Sequence, residues 1–358
     1  MTNETEKPKS RARRQASSKK KVLNPAASLI EALKFISVAQ KKAGPTGVQF
    51  CQVRQNWAIA SDGIVTAAFP VQEDLEACPH TLQLTAALSK VGEDLSITQL
   101  NENALAVSSG DFRALVPCVG FDEVPVPEAD SPCADIDNRV KEALASVAGL
   151  ATDGANSATY AAVLLQAGSA VATNGAALLE AWHGIDLPPG LLLPKSAVMA
   201  IVKSKLDLVR FGFSHSSATF FFENGAFIKT QLYGERYPNY QAVLHCDNLN
   251  PWPVPEDFFR AIEAIEAFSP EGNVYFQDGA IFSMLRKDDA TTYKIEGLPD
   301  GMGFQIKNLN LVKKAFEKVH FEKQENKAYF FGGNVRGAIM GLDLKQPEPF
   351  DPDKDIPF

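Results

Sequence analysis

The chain has 358 residues, 45% hydrophobic and 22% charged, with a formal net charge of −8. This is a globular composition with room for two or three domains. No run of 18 apolar residues is present, which argues against a helical membrane span, and the charged start is not followed by an apolar segment, so no secretory signal and a cytoplasmic location are expected.

Residues 1–21 hold eight Lys or Arg against Glu4 and Glu6, a net +6 that leaves −14 on the rest of the chain. A basic arm over 1–22 of this kind is expected to be disordered, either contacting a polyanion or solubilising the chain. The periodicity then predicts a helix over 27–42, where apolar residues recur at three and four. A hydroxyl-Asx-Gly turn follows at Ser61-Asp62-Gly63, then a helix over 80–91. Strand-like alternation runs through LSITQL and ALAVSS to SSGDFRALVP at 108–117.

The same order then recurs. A helix is predicted over 136–150, and Thr173-Asn174-Gly175 repeats the turn inside VATNGAALL. A helix over 194–206 follows, then the strand-like runs LVRFGF and ATFFFEN, and ENGAFIKTQL, which places Phe227 in the slot of Phe112. A weaker third copy opens with a helix over 255–268, lacks the turn, and continues with a helix over 306–319. KAYFFGG and NVRGAIMGL then bring Val335 into the Phe112 slot. A period of about 110 residues is a domain length, too long for a solenoid repeat. The expected class is α+β: three tandem domains over 23–130, 131–247 and 248–345, each with two helices packed on antiparallel sheet, then a tail over 346–358. In the turns, Asp or Asn before Gly is suited to left-handed backbone.

Cations recur on these helices. On a helix over 306–319, Lys307, Lys314 and Lys318 form a stripe opposite Leu309, Val312, Phe316 and Val319. The second copy offers Lys195, Lys203 and Lys205, with Arg139 and Lys141 on its opening helix. The first offers Lys34, Lys41, Lys42 and Lys90. A lysine row is also what a solvated helix face looks like. Recurrence at equivalent places in an acidic body points to phosphate contacts that do not read sequence.

Catalytic and metal motifs are not found. The five cysteines (Cys51, Cys78, Cys118, Cys133 and Cys246) form no CxxC pair, and the five histidines show no metal-ligand spacing. DPDKD at 351–355 lacks the Gly and terminal Glu of an EF-hand loop. No cofactor, no metal and no enzymatic activity are expected.

Two segments carry a family resemblance. VATNGAALL resembles the Val-Ala-Thr-Asp-Gly-His-Arg-Leu segment of the bacterial sliding clamp, the beta subunit of DNA polymerase III. GERYPNYQAVL at 234–244 resembles that family's Gly-Arg-Phe-Pro-Asp-Tyr-Arg-Arg-Val-Leu, and SSGDFRALVP its Ser-Gly-x-Phe motif. The resemblance implies a head-to-tail homodimeric ring with pseudo-six-fold symmetry that encircles duplex DNA through the lysine-bearing helices. It also implies a groove for short apolar peptides of DNA polymerase and clamp loader, walled by Tyr160, Thr173, Gly175, Leu178, Pro238, Val243 and Met340. The implied subunit interface uses Phe112 and Phe268. Apart from the resemblance, Leu178, Val243, Met340 and both phenylalanines read as ordinary core. Ala176-Ala177 stand where the family has His-Arg, and Gln241-Ala242 where it has Arg-Arg, so altered partner specificity is expected. Glu256, Asp257, Glu263 and Glu266 oppose a DNA-facing role for the 255–268 helix. The 346–358 tail is expected to be a plain disordered extension, with competition of its apolar end Ile356-Pro357-Phe358 for the groove as the alternative. A clamp-like scaffold that does not encircle DNA is the alternative, and a hydrolase of repeated domains a third.

Overall fold

The structure, a computed structural model, describes residues 25–40, 46–73, 75–124, 126–313 and 317–344. The basic arm, Lys41, Lys42, Lys314, Phe316 and the 346–358 tail lie outside the described residues.

In chain order the first elements are α1 (Ala27–Ile36), β1 (Gln52–Arg54), β2 (Trp57–Ser61), β3 (Val65–Pro70), β4 (Cys78–Pro79), α2 (Thr81–Leu88), β5 (Ser96–Asn101), β6 (Ala104–Ser109) and β7 (Phe112–Val119). Next come β8 (Pro132–Asp135), α3 (Asn138–Val147), α4 (Ala158–Ala161), β9 (Ala162–Leu165), β10 (Ser169–Thr173), β11 (Ala177–Trp182), β12 (Leu191–Pro194), α5 (Lys195–Lys203), β13 (Leu208–Phe213), β14 (Ser217–Phe222) and β15 (Phe227–Gln231). The last are α6 (Gln241–Leu244), β16 (Trp252–Pro253), α7 (Phe258–Glu266), β17 (Asn273–Gln277), β18 (Ala280–Phe282), β19 (Thr292–Lys294), β20 (Met302–Gln305), α8 (Ile306–Val312), β21 (Lys318–Glu322), β22 (Lys327–Gly332) and β23 (Val335–Met340).

The class is α+β, and every strand pairing among the described residues is antiparallel. A seven-stranded sheet runs β1-β2-β3-β15-β14-β13-β8, and an eight-stranded one β12-β9-β10-β11-β23-β22-β21-β16. Two four-stranded sheets, β4-β7-β6-β5 and β19-β18-β17-β20, complete the set. The joins follow one rule: β3 pairs β15, and β11 pairs β23. The β11–β23 seam is close-packed, because a Cβ on Gly337 would stand 2.3 Å from Leu179 Cδ2.

Helix faces pack on these sheets. α1 buries Leu29, Ala32, Leu33 and Ile36, the i, i+3, i+4, i+7 stripe. α3 starts where the Asp137 carboxylate accepts from the Arg139 amide, and buries Val140, Ala143, Leu144 and Val147. The helices also touch one another in a chain. α1 packs on α2 and α3 on α5. A cleft is shared by α1 and the end of α5. Leu311 of α8 lies against Gly149 beyond α3, and Lys313 after α8 pairs with Glu263 of α7.

The two predicted turns are the same object. In the first, Asp62 Oδ1 accepts from the amides of Ile64 and Val65 at 2.9 and 2.8 Å. In the second, Asn174 Oδ1 accepts from Ala176 and Ala177 at 3.0 and 2.8 Å. Gly63 and Gly175 take φ of 87° and 89°, which any side chain would strain. In the third copy a longer connection through a 3₁₀ turn at Lys287–Asp289 joins β18 to β19 instead.

One predicted helix is corrected. Among the described residues of 306–319 the α-helix runs from Ile306 to Val312, and Lys318 begins β21. There Val319 is buried between Phe330 and Trp252 across the ladder. KKAFEKV satisfies a helical period, but β22 and β16 both need a strand between them, and that pairing overrides local propensity. The lysine stripe therefore does not exist as read: Lys307 is on a helix and Lys318 on a strand.

Candidate functional site: an apolar groove and a cationic helix layer

All seven residues expected to wall the groove line one cavity of about 310 Å³. Thr173 ends β10, Gly175 forms the turn, and Leu178 rises from β11. Tyr160 comes from α4, Val243 from α6, Pro238 from the segment before it, and Met340 from the end of β23. The turn is shaped for this place. Thr173 Oγ1 donates to the Ala177 carbonyl at 2.7 Å and accepts from the Gly175 amide at 3.1 Å. The Tyr160 ring lies 3.5 Å from where a Gly175 Cβ would stand. Met340 and Tyr160 are each 41% exposed, whereas Leu178 is 5% exposed and packs below them with Val171, Tyr240 and Tyr329.

Ala176 and Ala177 line it as well, and further lining residues escaped the sequence reading: Thr159, Tyr237, Asn239, Tyr240, Lys327 and Ala338. Both tyrosines sit inside the RYPNYQ stretch that carried the resemblance, so that motif held the signal. The Tyr237 hydroxyl is buried without a hydrogen-bond partner among the described residues, and burial pushes its pKa up. It is a polar group set among the apolar side chains of the wall. Tyr240 is held differently: its hydroxyl donates to Glu180 Oε1 at 3.0 Å. A second cavity is lined by Leu164, Gln166 and residues 236–241 and shares Tyr237, Pro238, Asn239 and Tyr240 with the first.

The cations fall into groups. Lys34, Lys203 and Lys205 line the cleft shared by α1 and the end of α5, with Glu31 beside them. Lys90 and Lys307 are exposed. Arg139 is exposed and paired with Asp137, and Lys195 Nζ stands 3.8 Å from Asp153. Lys141 departs from expectation. Its ammonium donates to the Ser204 and Leu206 carbonyls beyond α5, and burial lowers its pKa. The open carbonyls at the end of α5 need donors, and Lys141 supplies them instead of facing outward. On α7, Glu263 pairs with Lys313, and Arg260 with Asp257.

The two phenylalanines expected at an interface also differ. Phe268 follows α7 and is 60% exposed, while Phe112 is half-buried at the start of β7. Its counterparts Phe227 and Val335 each lie against a neighbouring strand, across from Ala68 and Ala181. Beyond β6 and a two-residue contact with β4, β7 pairs with no described strand.

No protein-family model matches the chain, and no curated protein sequence does. Solved structures match over nearly its whole described length. The DNA polymerase III subunit beta from Pseudomonas aeruginosa superposes with a TM-score of 0.74 at 13% identity, covering 88% of this chain and 98% of that one. Caulobacter crescentus pol III beta gives 0.73 at 16%, covering 89% and 98%. The Helicobacter pylori beta clamp in complex with 3,4-difluorobenzamide gives 0.72 at 16%, covering 88% and 98%. The chain therefore has the sliding-clamp fold. Among the described residues no helix is long and apolar enough to cross a membrane.

Proposed function

We propose that this chain is a DNA sliding clamp and not an enzyme. Two copies close head to tail around duplex DNA, and the groove holds short apolar peptides of DNA polymerase and clamp loader. Three clamp-type domains, 23–130, 131–247 and 248–345, follow one another along each half-ring.

The observation that carries this reading is the joining rule. Twice within the chain the third strand of one repeat pairs the last strand of the next, β3 with β15 and β11 with β23. Applied once more, it sets β19 of one copy against β7 of another. Those strands lie in the two four-stranded sheets that make no join between repeats among the described residues. Phe112 then gains the neighbour that Phe227 and Val335 already have. Leu115, 62% exposed on β7, is covered, and Phe268 is the candidate from the other copy.

The inner layer is then the chain of helices α2, α1, α5, α3, α8 and α7. Lys34, Lys90, Lys203, Lys205, Arg139, Lys195 and Lys307 supply loosely held cations toward phosphate, with no base-reading geometry. Pairing with Lys313 offsets one of the acids of α7. Residence on DNA rests on topology, so the acidic body is tolerated.

The test is retention on DNA. Protein assembled on nicked circular plasmid should co-elute with it through gel filtration in moderate salt and be released when the plasmid is linearised. Retention indifferent to linearisation would rule out encirclement.

A further inference from the structure

We propose that Cys246, His320 and Glu322 form a binding site for a divalent transition-metal ion of the zinc class, tying the segment after α6 to β21. One ligand atom from each lies within 4.8 Å of the others. His320 Nε2 and Glu322 Oε2 are 3.7 Å apart, a few tenths of an ångström beyond the ~3.4 Å between a nitrogen and an oxygen ligand on tetrahedral zinc with bonds of ~2.0–2.2 Å. The Cys246 sulfur lies within 4.8 Å of both, and loading would draw it closer.

A second observation points to an ion. His320 Nε2 is buried, and it has no hydrogen-bond partner among the described residues. A buried polar atom left without a partner is costly, and a metal bond would satisfy this one. Glu322 is prepared in the same direction. Its Oε1 accepts from the Gln324 amide at 3.0 Å, which fixes the carboxylate and leaves Oε2 toward the imidazole. The Asn250 amide approaches His320 Nδ1 at 3.4 Å, at the outer limit of a hydrogen bond. Loading moves the ring proton to Nδ1 and gives up that long contact.

Thiolate, imidazole and carboxylate together suit zinc, whereas magnesium and calcium prefer oxygen alone. Three protein ligands leave a fourth position for water. Sequence spacing argued against a metal because the ligands are far apart in the chain: Cys246 follows α6 and the other two are on β21. Cys246 also packs on the apolar cluster of Tyr240 and Val243. An ion here therefore braces one wall of the groove against the sheet.

Cobalt(II) reports such a site directly. Untagged, metal-stripped full chain titrated with cobalt should bind one equivalent and develop a thiolate-to-cobalt charge-transfer band together with tetrahedral d–d absorption. Cys246→Ser should abolish the charge-transfer band and weaken zinc binding on the order of 100-fold or more. Cys133→Ser, at an exposed cysteine elsewhere, should change neither. Glu322→Gln should weaken binding and keep the charge-transfer band, which separates loss of a ligand from loss of fold. Absence of the band in the unaltered chain, or its survival in Cys246→Ser, would overturn the site. None of these readouts involves DNA or peptide, so the clamp reading stands or falls separately.

Discussion

The Tyr240 hydroxyl and the Glu180 carboxylate are 3.0 Å apart, and through that bond a wall of the groove is tied to a buried charge. Glu180 also accepts from Ser169 at 2.8 Å and from Arg336 Nη2 at 2.6 Å, so one carboxylate joins β10, β11, β23 and the segment before α6. Arg336 lies over the Trp182 ring at 5.0 Å, which keeps its guanidinium in place.

Removing Arg336 leaves that carboxylate short of the only cation paired with it among the described residues. Arg336→Met should cost about 2–3 kcal/mol of unfolding free energy, less than an isolated buried charge because Ser169 and Tyr240 remain. Adding Glu180→Gln should recover part of the loss. Urea melts of the two variants and the unaltered chain measure both terms.

Asp130 makes stability depend on acid. Burial raises its pKa, but hydrogen bonds from Ser217, Thr219 and Lys229 outweigh burial and the net shift is downward. A carboxyl with a depressed folded pKa contributes stability above its unfolded value, about 3.9, and loses it as pH falls through the folded value. Asp130→Asn should melt earlier at pH 7 and lose less on going from pH 4 to pH 2. Thermal melts across that range check it.

Groove binding should depend on the exposed rim. Met340→Asp and Tyr160→Ala should each weaken an apolar clamp-binding peptide by tenfold or more while leaving the melting temperature nearly unchanged. Leu178→Asp is a poor probe, although Leu178 lines the groove. Its side chain is buried, so an aspartate there places an unpaired charge in the core and destabilises the fold itself. Fluorescence anisotropy with a labelled peptide, paired with a melt of each variant, separates the two effects.

The free edge of β7 should control assembly. Leu115→Asp puts a charge at the centre of the proposed β7–β19 contact without touching either join inside the chain. It should weaken dimerisation on the order of 100-fold and keep the circular dichroism spectrum. Phe268→Asp should act in the same direction. Sedimentation velocity over a concentration series measures the shift.

Much of this was legible because local chemistry set it. Asx before Gly specified both turns, the alternation of ALAVSS located β6, and the strand-like runs LVRFGF and KAYFFGG located β13 and β22. Helix interiors were found, but their ends were overrun. The stretch 27–42 is α-helical only to Ile36, and 136–150 only from Asn138, where Asp137 caps it. What failed depended on distant partners. Lys318 belongs to a strand because β22 and β16 flank it. Lys141 turns inward because α5 ends beside it. The bond from Asn174 to Asn308 Oδ1 at 2.9 Å, which ties the second turn to α8, spans too much chain for any local pattern to show.

Electron microscopy of the purified chain in negative stain, with class averages, tests ring closure most directly. Two chains should form closed rings with an open centre and a roughly six-fold outline, and Leu115→Asp should convert them to arcs. Single arcs from the unaltered chain at high concentration would contradict head-to-tail closure.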